Sequence, residues 1–77
     1  MKLYAWQPNG HGEFSWFVAA ETEADAKAAV EKEMARRKAL PLGDIDRITD
    51  YECGGWGTDY YTLTVADAGT VLLNAND

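Results

Sequence analysis

The chain has 77 residues, enough for one small domain at residues 1–77, and its 47% hydrophobic and 26% charged residues are an ordinary globular composition. Thirteen acidic residues against seven basic ones give a net charge of -6, which excludes direct binding to nucleic acid or to an anionic membrane through a basic patch. One cysteine and one histidine exclude an internal disulfide and a zinc site built from cysteine or histidine ligands.

The first 20 residues predict a β-hairpin. Residues 2–7 and 13–19 are rich in aromatic side chains and alternate in the manner of strands. The segment between them contains Pro8-Asn9-Gly10-His11-Gly12, a dense group of turn-forming residues. The side chains that we expect in the core of the domain are Leu3, Trp16, Tyr61 and Leu63.

A helix is predicted over Thr22–Lys38. Thr22 is a candidate N-cap, and Asp25 follows it three residues later in a pattern like a capping box. The basic residues 36–38 suit the negative end of the helix dipole. A narrow apolar stripe at a spacing of four suits close packing on a sheet, and it consists of Ala26, Val30 and Met34.

The second half of the chain returns to strand character. We interpret residues 45–53 as a strand, residues 54–59 as a glycine-rich loop, residues 60–65 as an alternating strand and residues 70–74 as a last short strand. The apolar points of the first of these strands are Ile45, Ile48 and Tyr51. The element order is therefore ββαβββ, which predicts an α+β domain with a single helix packed on a small, mainly antiparallel sheet.

The negative charge is concentrated in one half of the sequence. Residues 1–43 carry as many bases as acids, so the whole net charge of -6 falls in residues 44–77. If residues 45–53 form a strand, four carboxylates share its face at a spacing of about 7 Å, close to the phosphate spacing of one nucleic-acid strand. These residues are Asp44, Asp46, Asp50 and Glu52. The alternative is that the acidic residues only keep a small protein soluble.

Aromatic residues supply the other half of a candidate interface. The chain has three Trp, four Tyr and two Phe, and a single helix covers only one face of a sheet, so some rings stay exposed. Trp56 lies between glycines in the loop beside Asp59, and tryptophan is a frequent anchor of protein interfaces. The alternative is that Trp56 belongs to the core.

Nothing in the sequence assembles a catalytic or cofactor site. Cys53 is interpreted as a small buried apolar residue at a strand end and His11 as a solvated turn residue. The loop at residues 54–57 lacks the lysine of a phosphate-binding loop and leads into a strand. The carboxylate pairs at 44/46 and 50/52 lack the ligand number and glycine of a calcium loop. We expect no enzyme activity, no cofactor and no metal.

The length, the mixed α/β layout, the Ala/Glu-rich helix Thr22–Lys38 and the acidic stretch from Asp44 to Asp67 resemble the small acidic anti-CRISPR proteins of phages and prophages. That family shares no common motif, so the resemblance transfers no residue by position. It implies a cytoplasmic inhibitor whose acidic surface binds a protein with a basic nucleic-acid-binding surface. By analogy, the target is a type I CRISPR surveillance complex, and the effect is to block its binding to DNA.

From the residues, we expect the partner-binding site to consist of Asp44, Asp46, Asp50, Glu52, Trp56 and Asp59. The protein is expected to be a monomer or homodimer with no membrane segment, since its longest apolar run is far short of a membrane span. The alternative function is a small intracellular accessory domain that acts by dimerisation or strand pairing at a sheet edge.

Overall fold

The computed structural model describes residues 1–73. Within them the chain forms three strands, one α-helix and one 3₁₀-helix: β1 (Lys2–Pro8), β2 (Trp16–Ala20), α1 (Glu23–Lys38), the 3₁₀-helix Asp50–Cys53 and β3 (Tyr61–Ala66). The strands make one antiparallel sheet in the order β2-β1-β3, so the central strand is the first in the chain. The predicted α+β class, with one helix packed on an antiparallel sheet, is confirmed.

The register of the sheet separates its two faces. Trp6 of β1 lies opposite Trp16 of β2 and opposite Leu63 of β3. Opposed residues point to the same face, so these three side chains lie together with α1 above them. Leu3 points to the other face, where 37% of its surface is exposed, and its predicted place in the core is wrong. The helix covers only one face, and alternation along β1 puts Leu3 on the opposite side.

The helix forms as its sequence predicts. The Thr22 hydroxyl accepts a hydrogen bond from the backbone N–H of Asp25 at 3.1 Å, so Thr22 is the N-cap. The predicted stripe is the buried face of the helix: Ala26, Val30 and Met34. Because these side chains are small or flexible, the helix packs against Tyr4, Trp6 and Ala20 in one core cluster. No helix among the described residues has the length and apolar character needed to cross a membrane.

The predicted strand at residues 45–53 is not formed. Residues 45 and 46 make a turn, residues 47–49 are irregular, and the 3₁₀-helix Asp50–Cys53 follows them. Thr49 begins that helix with a capping box, in which the Glu52 carboxylate accepts from the Thr49 backbone N–H at 3.2 Å. Local bonds from side chains thus replace the ladder bonds of a strand. Of the three apolar residues in this segment, only Ile48 is buried, at 2% exposed, whereas Tyr51 is 65% and Ile45 96% exposed.

The predicted last strand is also absent over residues 70–73, and Asn74 lies outside the described residues. Gly69 adopts a positive φ of 89° in the turn that follows β3. Beyond this turn, the Leu73 carbonyl accepts from the Gln7 side chain at 2.6 Å. This contact fixes residue 73 beside β1 by a side-chain hydrogen bond instead of a ladder of backbone bonds.

Candidate functional site

The carboxylates predicted to form a row lie on turns and on the 3₁₀-helix. Asp44 uses its Oδ1 to accept from the backbone N–H of Asp46 at 2.9 Å, which closes a turn. Asp50 and Glu52 are the two acidic residues in the first turn of the 3₁₀-helix, with Tyr51 between them. Strand geometry is required for side chains two residues apart to share a face, so the predicted row with phosphate-like spacing does not exist.

Several of these acidic residues are also compensated by the protein's own cations. The Arg37 Nη1 lies 3.9 Å from Asp46 Oδ1, and the Lys38 Nζ lies 3.0 Å from Asp50 Oδ1. The hydrogen bond with Asp50 raises the pKa of the Lys38 ammonium. The basic last turn of α1 therefore faces the acidic segment that follows it, and this end of the molecule is close to charge balance.

Glu52 is engaged in the capping box instead of facing solvent as a free charge. Its Oε2 accepts from the Thr49 hydroxyl at 2.6 Å, and its Oε1 accepts from the Thr49 backbone N–H. These hydrogen bonds, led by the one from the hydroxyl, lower the pKa of the Glu52 carboxyl. Glu52 thus stabilises the local fold, and both of its carboxylate oxygens accept hydrogen bonds from Thr49.

Trp56 is half-buried and combines the two roles that the sequence left open. Its ring packs against Trp6 and Tyr61, with ring centroids 5.3 and 5.5 Å away in edge-to-face geometry. Its indole N–H donates to Glu31 Oε2 at 2.9 Å, which ties the glycine-rich loop to α1. Trp56 therefore fastens residues 54–59 onto the core, while part of its ring remains at the surface.

A different group of carboxylates surrounds this loop, and we call it the acidic rim: Glu13, Glu23, Glu31 and Asp59. Glu13 accepts from the Tyr60 hydroxyl at 2.8 Å, a bond that raises the pKa of Tyr60. Glu23 lines a cleft with Trp56 and Thr58, and Thr58 also lines the surface concavity that contains Glu13. The acidic rim therefore collects side chains from the hairpin loop, from α1 and from the loop itself.

The acidic rim keeps exposed negative charge. No ion pair joins Glu23 or Asp59 to a cation within residues 1–73, and both residues are exposed. Lys27 lies one helical turn from Glu23 and lines the same cleft, so it offsets part of the Glu23 charge, although the two form no ion pair within residues 1–73. The arginines of α1 begin thirteen residues beyond Glu23, about 20 Å along the helix, which exceeds the screening length of about 8 Å at physiological salt.

Of the predicted site residues, Trp56 and Asp59 lie in the same loop, whereas Asp46 and Asp50 contact Arg37 and Lys38 in the last turn of α1. Sequence reasoning missed Glu13, Glu23 and Glu31 because charge was summed along the chain, where the helix bases cancel them. The spacing of Glu23 and Glu31 places both on one helix face, but Lys27 lies between them on that face, so the sequence pattern by itself indicates charge pairing. That face borders the buried stripe of α1, so its side chains contact the loop at residues 54–59, which packs beside the helix.

Cys53 and the nearby carboxylates are the side chains of this region that could serve as a nucleophile or as metal ligands. Cys53 is buried, and its Sγ lies 3.8 and 3.9 Å from the carbonyl oxygens of Thr49 and Asp50. These carbonyl oxygens are weak acceptors for the thiol, and the Lys38 ammonium also interacts with the Cys53 sulfur. Among residues 1–73, no group of three His, Cys, Asp or Glu side chains is placed to hold a metal ion. The geometry offers binding through charge and aromatic rings.

Comparison with protein-family models, with curated proteins and with solved structures found no match to this chain.

Proposed function

We propose that the protein is a non-enzymatic binding inhibitor of the anti-CRISPR type, in which the acidic rim binds a basic, nucleic-acid-binding surface on a subunit of a CRISPR surveillance complex. When the protein occupies that surface, the complex cannot bind its target DNA. The observation that carries the proposal is the exposure of Glu23 and Asp59, which form no ion pair within residues 1–73, with Glu23 lining a cleft beside the half-buried Trp56. Uncompensated charge of one sign favours a partner of the opposite sign and accelerates its association.

The arrangement of charge changes the form of the proposed contact. The structure has no row of carboxylates at the spacing of phosphates. The proposed contact is therefore supported by the total negative charge of the surface and not by regularly spaced charges. The net charge of -6 adds a long-range attraction to any cationic partner. Such an interaction weakens as salt concentration rises, because exposed charges are screened.

Two double variants with the same change in charge test this function. Glu23→Lys/Asp59→Lys reverses two acids of the rim, whereas Asp46→Lys/Asp50→Lys reverses two acids that already face cations of the chain. The measurement is the concentration of each protein that prevents a purified, guide-loaded type I surveillance complex from binding duplex DNA. We expect the rim variant to lose about tenfold in potency and the other variant much less.

Circular dichroism and urea unfolding of both variants establish that each is folded before potency is compared. Equal losses for the two variants would show that only total charge matters and would reject the rim as the site. A larger loss for Asp46→Lys/Asp50→Lys would place the site at residues 44–52. A wild-type protein that leaves DNA binding unaffected across the type I subtypes overturns the function itself.

A second function, pairing through a sheet edge, is favoured by the sequence of the two outer strands. β2 and β3 lie at the edges of the sheet and contain no charged residue, and Phe17 of β2 is 45% exposed. Edge strands of monomeric proteins usually carry a charge or proline that prevents pairing with another strand. An accessory domain that dimerises through β2 would use this edge, and its charge would be irrelevant.

A further inference from the structure

A cleft lies between the first turns of α1 and the glycine-rich loop. Its volume is about 170 Å³, and its lining consists of Trp6, Glu23, Lys27, Trp56, Gly57, Thr58 and Tyr61. Three of these side chains are aromatic, and the two charged ones are Glu23, which belongs to the acidic rim, and Lys27. Gly57 adopts a positive φ of 87°, and nothing lies within 4 Å of the place where a Cβ would stand. The loop wall of the cleft is therefore bare backbone at this point.

The size of the cleft limits what it can hold. Sites for drug-sized ligands and cofactors usually measure about 300–1,000 Å³. A volume of about 170 Å³ is too small for a nucleotide and matches the end of one large side chain. The cleft is also open at the surface between α1 and the loop, so an occupant carried on another protein can enter from outside.

The charges of the lining select a cation. Glu23 contributes a carboxylate, and Glu31 accepts from the Trp56 indole N–H, which increases the electron density of that ring. Tryptophan is the aromatic side chain that attracts cations most strongly through its face. Lys27 also lines the cleft and disfavours a bound cation, so the lining contains one negative side chain, Glu23, and one positive side chain, Lys27.

We propose that this cleft receives the guanidinium of an arginine side chain from the partner protein, an inference that rests on the proposed function. Guanidinium is planar, weakly hydrated and able to stack on an aromatic ring while it donates paired hydrogen bonds to a carboxylate. Trp56 supplies the aromatic surface and Glu23 the acceptor. An ammonium group lacks the planar shape, so lysine fits the same cleft less well. Basic nucleic-acid-binding surfaces are rich in arginine, which joins this cleft to the proposed partner.

The test is an NMR titration of the ¹⁵N-labelled protein with three capped tripeptides, Gly-Arg-Gly, Gly-Lys-Gly and Gly-citrulline-Gly. We expect the arginine peptide to shift the indole N–H signal of Trp56 and the amide signal of Thr58. Its dissociation constant should be about threefold lower than that of the lysine peptide, and the neutral citrulline peptide should cause no saturable shift.

Single substitutions with matched controls separate the cleft from the overall charge. Glu23→Gln should weaken arginine binding about threefold, and Asp25→Asn, which removes an exposed acid of the same turn outside the cleft, should have little effect. Lys27→Gln should strengthen binding more than Lys32→Gln, because both remove one positive charge but only Lys27 lines the cleft. Each variant is checked for an unchanged folded spectrum.

The outcomes distinguish this inference from the proposed function. If the arginine peptide shifts signals of Glu13 and Asp59 but not those of Trp56 and Thr58, the rim binds cations and the cleft proposal is overturned. Equal effects of Lys27→Gln and Lys32→Gln overturn it as well. If the surveillance complex is inhibited and Glu23→Gln inhibits as strongly as wild type, the function stands and the cleft has no part in it.

Discussion

Glu33 is held by two arginines of the last helical turn. Arg36 donates to both carboxylate oxygens at 2.9 and 2.8 Å, and Arg37 donates to Oε2 at 2.8 Å. These hydrogen bonds lower the pKa of Glu33 from the usual 4.5 to about 2, and the bond with Arg36 contributes most. Arg36 and Arg37 thus use part of their hydrogen-bonding capacity on Glu33, which leaves fewer donors for Asp44 and Asp46.

The lowered pKa of Glu33 predicts a dependence of stability on pH. The folded state holds this carboxylate ionised down to about pH 2, while the unfolded chain takes up the proton near pH 4.5. The stabilisation is therefore complete above pH 4.5 and is lost as the pH falls towards 2. Glu33→Gln should remove this part of the pH dependence, as measured by urea unfolding at pH 2, 3, 4.5 and 7.

The same series on Asp25→Asn is the control, because Asp25 is an exposed acid of the same helix without an ion pair in residues 1–73. A Glu33→Gln profile that parallels the wild-type profile between pH 4.5 and 2 would show that the two arginine contacts are not maintained in solution.

Among the secondary-structure elements, α1 was predictable because its signals are local. Its N-cap, its buried stripe and its basic last turn all lie within the helix sequence itself. The strand predicted at residues 45–53 does not form for a related reason: hydrogen bonds from side chains in this segment outweigh its imperfect alternation of apolar residues. Asp44, Thr49 and Glu52 bond to nearby backbone groups and so satisfy locally what a strand would satisfy with a neighbour.

The uncharged edge strands lead to a test of the second function. Pairing of β2 with β2 of a second copy requires a dimer whose sedimentation is the same at low and high salt, because backbone hydrogen bonds carry it. Ala19→Lys places a charge on this edge strand and should convert the dimer to a monomer. Ala29→Lys puts the same charge on an exposed position of α1 and should leave it unchanged.

Analytical ultracentrifugation at 50 and 500 mM salt measures both variants and the wild type. A wild-type protein that is monomeric at both concentrations rejects the second function. A dimer that persists in Ala19→Lys would place the contact away from β2.

For the molecule as a whole, the core is closed by a side chain outside any regular element. Ile48 is 2% exposed and joins the cluster of α1 and the sheet, and its backbone N–H donates to the Arg37 carbonyl at 3.3 Å. This contact brings the segment after α1 back onto the domain. It also sets the side on which the acidic residues 44–50 are exposed, beside the last turn of the helix.

Ile48→Ala should therefore lower the free energy of unfolding by about 2–5 kcal/mol, because it removes buried methyl groups and leaves a cavity. Ile45→Ala is the matched control, since Ile45 is 96% exposed three residues earlier, and it should change stability by less than about 0.5 kcal/mol. Urea unfolding followed by tryptophan fluorescence measures both. Similar losses for the two variants would contradict the burial of Ile48 and the exposure of Ile45.

The amino-acid order was sufficient for the α+β class, for the hairpin, for α1 with its cap and buried stripe, and for a strand near residues 60–65. Each depends on periodicity or on hydrogen bonds between residues a few positions apart. The location of the exposed charge was not accessible in this way, because compensation depends on distances in space. Folding places Arg37 and Lys38 against Asp46 and Asp50, and it brings Glu23 and Glu31 of α1 beside Trp56 and Glu13 of the hairpin loop beside Tyr60.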